Sequence, residues 1–477
     1  MLDNTMNGLR INLIICILTV FGLSSCLKPE TISETSTDKL QSKNEPHDHF
    51  DQQRSYPDTK FDVRAYQEAL DKVSASESAA FRQAGGLNSA WIQEGPGNIG
   101  GRINTIAVHP NDQNTIYIGN VSGGIHKTID GGITWLPIFD GQSYLSIGYI
   151  TLDPSDPNTV WVGTGDPNLT GSAFTGNGVY KSTDAGATWT HMGLAATRVV
   201  SKIIVDPNNS NIVYTATMGA PMERNTDRGL YKSIDGGTTW SQILFISNDA
   251  GITDLMMDHS NSQILYVAGW NRIRTNQESL ISGPAAKVYK SIDGGANWTI
   301  LTGGLPQYNC SRIGFAMSAL NSNTIFAMYV DTNLLYAGIY KSVDAGTSWN
   351  LLPLTNLGPG AMGGFGWYFG KMAVSPWDND ELYVCAVDLY ITNDGGTNWA
   401  LGAPDWWTYD VHADKHDIHY VSPDTILLAT DGGLYRTVDG GANWDDIENI
   451  PNTQFYRVAY NPHNVGEYYG GAQDNGT

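Results

Sequence analysis

Short apolar runs alternate with polar, glycine-rich turns along most of the chain, and one turn recurs. Its fullest copy is Ser291-Ile292-Asp293-Gly294-Gly295-Ala296-Asn297-Trp298, and near copies end at Trp135, Trp189, Trp240, Trp349, Trp399 and Trp444, spaced 45 to 58 residues apart. Each copy has Ser or Thr seven residues before the Trp, Asp five before and Gly three before. An apolar run such as Val179-Tyr180-Lys181, Leu230-Tyr231-Lys232 or Val288-Tyr289-Lys290 leads in, and another follows the Trp, so each copy is a hairpin turn between two strands. The Asp can accept backbone N–H groups across the turn, Gly supplies positive φ, and the Trp closes over it. The period is that of a four-stranded propeller blade and too long for a helical-pair solenoid. The expected fold is all-β: a β-propeller of about seven four-stranded blades with these Asp turns.

A second pattern marks the innermost strand of each blade, an apolar alternation ending in a turn Pro or its equivalent. It runs Ile103 to Pro110, Ile147 to Pro154, Lys202 to Pro207, Asp254 to His259, Ile313 to Ser318, Lys371 to Pro376, Ile418 to Pro423 and Val458 to Pro462. That is eight inner strands for seven turns. Either the last segment pairs with the strand at Trp91 and Ile92 to close the ring, which would remove its edges, or the sequence is a piece of a longer chain whose first propeller this is. Truncation is the favoured expectation, because Asp474-Asn475-Gly476 reads as an internal turn.

Ahead of the ring the pattern changes. Ile11 to Leu23 is an apolar run behind Arg10 that ends in Leu23-Ser24-Ser25-Cys26, shorter than the roughly 20 residues of a spanning helix and resembling a bacterial lipobox. Residues 1–25 then read as a lipoprotein signal peptide, with lipidation at Cys26. Residues 26–57 are polar and mixed in charge, a flexible tether. Residues 58–86 hold a helical segment, with Phe61, Ala65, Leu70, Val73, Ala80 and Phe81 among polar residues and Gly85-Gly86 as its stop. The propeller occupies 91–477.

Composition agrees. Among 477 residues there are 53 Gly and 14 Trp, and the formal charge is −21. So acidic a chain is a poor partner for nucleic acid or an anionic membrane surface; contact with the membrane is expected through the lipid anchor only. Cys310 and Cys385 are the cysteines left after the leader, open to reading as a disulfide or as two buried thiols.

At these boxes the chain resembles the Asp-box families: bacterial sialidase repeats, the sortilin-type propeller, two-propeller xyloglucanases and photosystem assembly propellers. The segments Gly95-Pro96-Gly97-Asn98-Ile99-Gly100-Gly101-Arg102, Gly163-Thr164-Gly165-Asp166 and Gln473-Asp474-Asn475-Gly476 resemble bacterial exported sortilin-type members. The resemblance implies a structural role, away from the ligand face, for Asp130, Asp184, Asp235, Asp293, Asp344, Asp394 and Asp439. It implies little about activity. The Phe/Tyr-Arg-Ile-Pro motif of sialidases is absent. Where xyloglucanases carry a catalytic Asp in Thr-Asp-x-Gly-Gly, the corresponding stretch is Asn120-Val121-Ser122-Gly123-Gly124; the one Thr-Asp-Gly-Gly is Thr430 to Gly433.

Aligning the blades on their turn prolines puts Thr105, Tyr149, Lys202, Asp254, Lys371, Ile418 and Arg457 at one repeated position, expected to line the channel. Tyr149, Lys202, Lys371 and Arg457, with Trp367, Tyr368, Trp406 and Trp407 as stacking groups, are the candidate ligand-binding residues. One cluster breaks the repeat: Trp406-Trp407-Thr408-Tyr409-Asp410-Val411-His412-Ala413-Asp414-Lys415-His416. In an extended strand, residues two apart share a face, so His412, Asp414 and His416 would point together. That set suits a first-row metal such as zinc, an acid/base pair, or a structural network; calcium is the other cation considered. The expected function is an exported, lipid-anchored module on the bacterial outer membrane or cell surface, binding a protein, peptide or glycan without catalysis. The alternative is a polysaccharide-active hydrolase or lyase.

Overall fold

The computed structural model describes residues 95–477 except 171–173, 221, 276–277, 465 and 477, together with Ala65, Glu68, Ala69 and Lys72. Those last four are helical and exposed. The leader, Cys26, the tether, Trp91 and most of the expected helix lie outside the described residues.

Seven four-stranded antiparallel sheets follow one another, spanning residues 103–137, 147–191, 200–244, 250–300, 313–351, 372–401 and 415–446, blades 1 to 7 in chain order. Every Asp turn joins the third and fourth strands of its blade, as between Val179–Ser182 and Thr190–His191. Blade 4 carries a small extra hairpin, Ile273–Arg274 against Ser279–Leu280.

The box sequence is explained by its backbone. The residue after each Asp and the one following it both have positive φ: 57° and 91° at Ala185 and Gly186, 67° and 92° at Gly294 and Gly295. The first value lies in the left-handed region that Ala can tolerate, and Ala185 and Ala345 occupy it; the second is glycine's. Asp293 accepts from the Ser291 hydroxyl (2.8 Å), the Asn297 N–H (2.9 Å) and the Asn297 amide (2.7 Å). The same contacts hold all seven aspartates ionised, with pKa about 2.

The box also joins blades. The N–H after the Asp bonds within its own blade, Ala185 to Asn158 O and Gly294 to Gln263 O. The carbonyl of that residue faces the preceding blade. Ala185 O accepts from Lys127 and the Tyr117 hydroxyl, Gly294 O from Lys232 and Tyr214, and Ala345 O from Lys290 and Tyr266. Box tryptophans reach back similarly: Trp189, Trp240, Trp298 and Trp444 donate to Ile138 O, Met192 O, Ile243 O and Gly402 O.

Ring closure is the same contact made across the chain's ends. Arg436 of blade 7 donates to Gly131 O of blade 1 (3.0 Å), Asp417 accepts the Ile106 N–H (2.9 Å), and Ile103, Ile106, Ile116 and Ile118 pack with Leu427, Ala429 and Leu434. The strand at Trp91 and Ile92 with which the eighth expected inner strand could pair lies outside the described residues, but that inner strand itself is present. It forms a separate two-stranded hairpin, Phe455–Tyr460 with Tyr468–Ala472, whose aromatic residues are mostly exposed. Cys310 and Cys385 are free, buried thiols in different blades; burial raises Cys310 to about 11.

Replacing Arg436 by Met should cost about 1–2 kcal/mol, since a charge-assisted donor is lost and Gly131 O is left unpaired. Arg224→Met, which breaks the exposed pair with Glu278, should cost less than about 1 kcal/mol. Denaturant unfolding of the two variants checks the order; equal losses would mean the box contact does not hold the ring shut.

Candidate functional site

The channel is filled where the repeat is broken. After Val160–Thr164, the chain turns at Gly165 and sends Asp166, Asn168 and Leu169 into the centre, all buried. Three buried arginines hold this loop: Arg102 to Asp166 (3.1 Å), Arg312 to Asn168 Oδ1 (2.6 Å), and Arg272 to Leu169 O. Arg272 also lies over the rings of Trp270 and Trp367, at 5.5 and 5.1 Å. With no carboxylate in contact, burial pushes Arg272 down to about 9 and Arg312 to about 10.

Arg102 leads to the second network. Its guanidinium donates to the Tyr368 hydroxyl, which donates in turn to Asp431 (3.0 Å). His416 Nε2 meets Asp431 Oδ1 at 2.6 Å. Burial works against the Asp431 charge, but His416 and Arg102 outweigh it and hold the carboxyl at about 2. Asp431 and Gly432 form the turn between Ile426–Thr430 and Gly433–Thr437, so the second strand of blade 7 aims the carboxylate at the channel mouth.

Two further carboxylates surround Asp431. Asp474 is exposed, shares a side-chain hydrogen bond with Asp431, and has its pKa raised by partial burial and by that neighbour. Asp414 is half-buried and raised to about 6, by burial first and then by the Asp431 charge, with His416 and His412 pulling the other way. The backbone ties the group together: Asp431 N–H bonds Asp414 O, His412 Nε2 meets Asp474 O at 3.0 Å, and Asn475 donates to Gly100 O and Asp431 O. The three carboxyls grade from buried to exposed.

His412, Asp414 and His416 are thus neighbours, but not on one strand face. The strand starts at Lys415 with a register shift before Asp417, and Asp414 has φ 61°. His412 lies on Gly432, where even a Cβ would collide with its ring, and its Nδ1 meets Ala413 O. Among the described residues no group of three His, Cys, Asp or Glu side chains is arranged to hold a metal ion.

The aligned inner-strand position divides. Lys202 pairs with Asp254 (2.6 Å), and Lys202 and Lys371 both lie over Tyr149, at 5.7 and 5.2 Å. Thr105 is buried. Ile418 faces the core between blades 6 and 7, because the register shift gives its expected place to Asp417, which pairs with Lys371 at 3.9 Å. Arg457 sits exposed on the terminal hairpin. Trp367 is half-buried and Tyr368 buried. Trp406 and Trp407 stack on each other in a short helical turn capped by Asp405, leaving Trp407 66% and Tyr409 82% exposed beside the mouth. Sequence reasoning assigned no role to Arg102, Asp166, Arg272 or Arg312; the signal available was that Gly163–Asp166 interrupts the blade pattern.

The family model described as Sortilin-Vps10 (sortilin, neurotensin receptor 3) matches residues 177–336, from the third strand of blade 2 into blade 5. Within that span, blades 2 to 5 of this Asp-box propeller resemble the sortilin type. This propeller is also similar to a protein named xyloglucanase from Paenibacillus sp, 25% identical over 433 residues that take in 76% of this chain and 40% of that protein. A xyloglucanase of Hypocrea jecorina is 26% identical over 400 residues, 75% of this chain and 40% of the relative. The chain thus spans well under half the length of the curated relatives it matches. Among solved structures, the GH74 xyloglucanase of Xanthomonas campestris superposes with TM-score 0.56 at 18% identity, over 77% of this chain and 56% of that one; the GH74 enzyme of Niastella koreensis gives 0.56 at 19%, over 76% and 56%. These two likenesses concern the fold.

Asp414 with a raised pKa favours the folded state when protonated, so its contribution to stability declines as pH rises from 3.8 toward 6. Asp474→Asn removes one of the negative charges acting on Asp414 and should shift its titration midpoint downward, read by carboxyl NMR; an unchanged midpoint would separate the two groups.

Proposed function

We propose that this propeller is a polysaccharide-active glycoside hydrolase working at the mouth formed by Asp414, Asp431 and Asp474. The observation that carries the reading is the split in proton affinity: Asp414 protonated up to about pH 6 beside Asp431 held ionised near 2. Environments that push neighbouring carboxyls apart assign an acid and a base. Asp431 and Asp474 are hydrogen-bonded to each other, closer than the carboxyl pair of a retaining or inverting hydrolase, so Asp414 is the acid and the Asp431–Asp474 pair, through exposed Asp474, is its counterpart. Asp414 gives its proton to the leaving glycosidic oxygen. Water adds to the anomeric carbon and loses a proton to the Asp474 side.

The exposed faces of Trp407 and Tyr409 suit sugar rings, and the curated relatives named xyloglucanases favour a plant β-glucan such as xyloglucan. Val121, 1% exposed where the xyloglucanase resemblance expects an acid, favours a second reading, a binding module for a glycan, peptide or protein. Export rests on the apolar run Ile11 to Leu23 and anchoring on Cys26; fatty-acid labelling of the protein in a bacterial host should vanish with Cys26→Ser, and its persistence would reject that anchor.

Incubation with xyloglucan should release reducing ends, with an alkaline limb set by Asp414, whose deprotonation above about pH 6 removes the acid. Asp414→Asn should lower the rate by about 10²–10⁴-fold while leaving binding in place. Saturable binding with no product would replace the hydrolase by the binding module.

A further inference from the structure

Beneath Tyr368 and His416 the channel holds a cavity of about 20 Å³ to which all seven blades contribute, from Asn104 of blade 1 to Lys415 of blade 7. That volume suits one water or one small ion. Four of its thirteen lining residues are basic, Arg312, Lys371, Lys415 and His416, and none is acidic, in a chain of formal charge −21.

These basic groups are not all satisfied from outside the cavity. Lys415 donates to Val387 O (2.8 Å) and His416 meets Asp431. Lys371 is different: Asp417 stands at 3.9 Å and the Tyr149 ring at 5.2 Å, and among the described residues its ammonium has no hydrogen-bond acceptor. Arg312 is 5% exposed. Its Nη1 serves Asn168, Trp367 O and Tyr368 O, while its Nε–H has no partner and no carboxylate touches the guanidinium. A buried guanidinium bonded only to neutral oxygens, beside an ammonium whose one carboxylate stands at 3.9 Å, is under-compensated, and a mobile anion is the simplest remedy the solvent offers.

We propose that this cavity binds one small monovalent anion of the halide class, chloride in ordinary media, held between Arg312 and Lys371. Its consequence is mechanical, because an ion held between Arg312 and Lys371 ties together the adjoining blades 5 and 6 at the axis. The site lies under the carboxyl mouth, sharing Tyr368 and His416 with its network, but it stands whether or not the chain hydrolyses glycans. Asn104 Oδ1, an acceptor without a partner, makes water the rival occupant.

Thermal unfolding of the protein in sodium chloride, sodium bromide and sodium gluconate at equal ionic strength tests the site. The two halides should raise Tm by several degrees over gluconate, because a ligand bound only by the folded state stabilises it. Lys371→Gln should remain folded and lose that difference, and Arg312→Lys should diminish it. Crystals soaked in bromide should give an anomalous peak beside Arg312. Coincident melting in the three salts, a Lys371→Gln variant with the full halide effect, or a water with no anomalous signal in the cavity would each overturn the proposal.

Discussion

Everything in the ring depends on the backbone of one residue, the one after each box aspartate. Its N–H is bonded inside its own blade, and in blades 1, 2, 4 and 5 its carbonyl receives a Lys or Arg from the blade before. A peptide can face both ways only where the chain turns through positive φ, which is why Gly or Ala follows the Asp and Gly comes next. The carboxylate holds that turn by gathering the surrounding donors. Its charge is thus spent on geometry, and the box belongs to packing rather than chemistry, low pKa notwithstanding.

A ring assembled from repeated stitches leaves its axis unspecified. The inner strands can be lined with anything that tolerates crowding, and here the axis is lined with charge. Lys202 and Lys371 lie opposite Asp254 and Asp417, and each of these aspartates also accepts a backbone N–H from the adjoining blade, Phe315 or Ile106. Above them, three arginines fasten the loop at Asp166. Arg102 then connects that loop to Tyr368 and Asp431. Buried guanidiniums that donate to carbonyls, amides and one carboxylate make a rigid floor, and the carboxyls of the mouth stand on it.

How much of this could be read from the sequence follows from what each feature depends on. Box turns and blade order rest on local chemistry at fixed spacing, and both were legible from Ser291–Trp298 and its copies. The inner-strand alignment placed Lys202, Lys371 and Tyr149 together but misplaced Ile418, because a single register shift exchanges the two faces of a strand and no local residue type announces it. The histidine cluster was legible as a break in the repeat, whereas its geometry was not: the extended strand assumed for His412 to His416 begins only at Lys415. Arg102 and Asp166 are 64 residues apart and Arg102 and Asp431 still further, so only the closed ring brings them together.

That closure also explains why the mouth carries a graded set of proton affinities. Asp431 sits on the turn of blade 7 next to blade 1, where Arg102 arrives from the chain's other end, and two basic partners keep it ionised despite burial. The next carboxyls outward, Asp414 and Asp474, meet that fixed negative charge with fewer cations to offset it, and each is raised. Asp414 is the more buried and is lifted to about 6; Asp474 is exposed to solvent. One buried, permanently charged group can therefore set a proton on its neighbours, and it can do so only where the first and last blades meet.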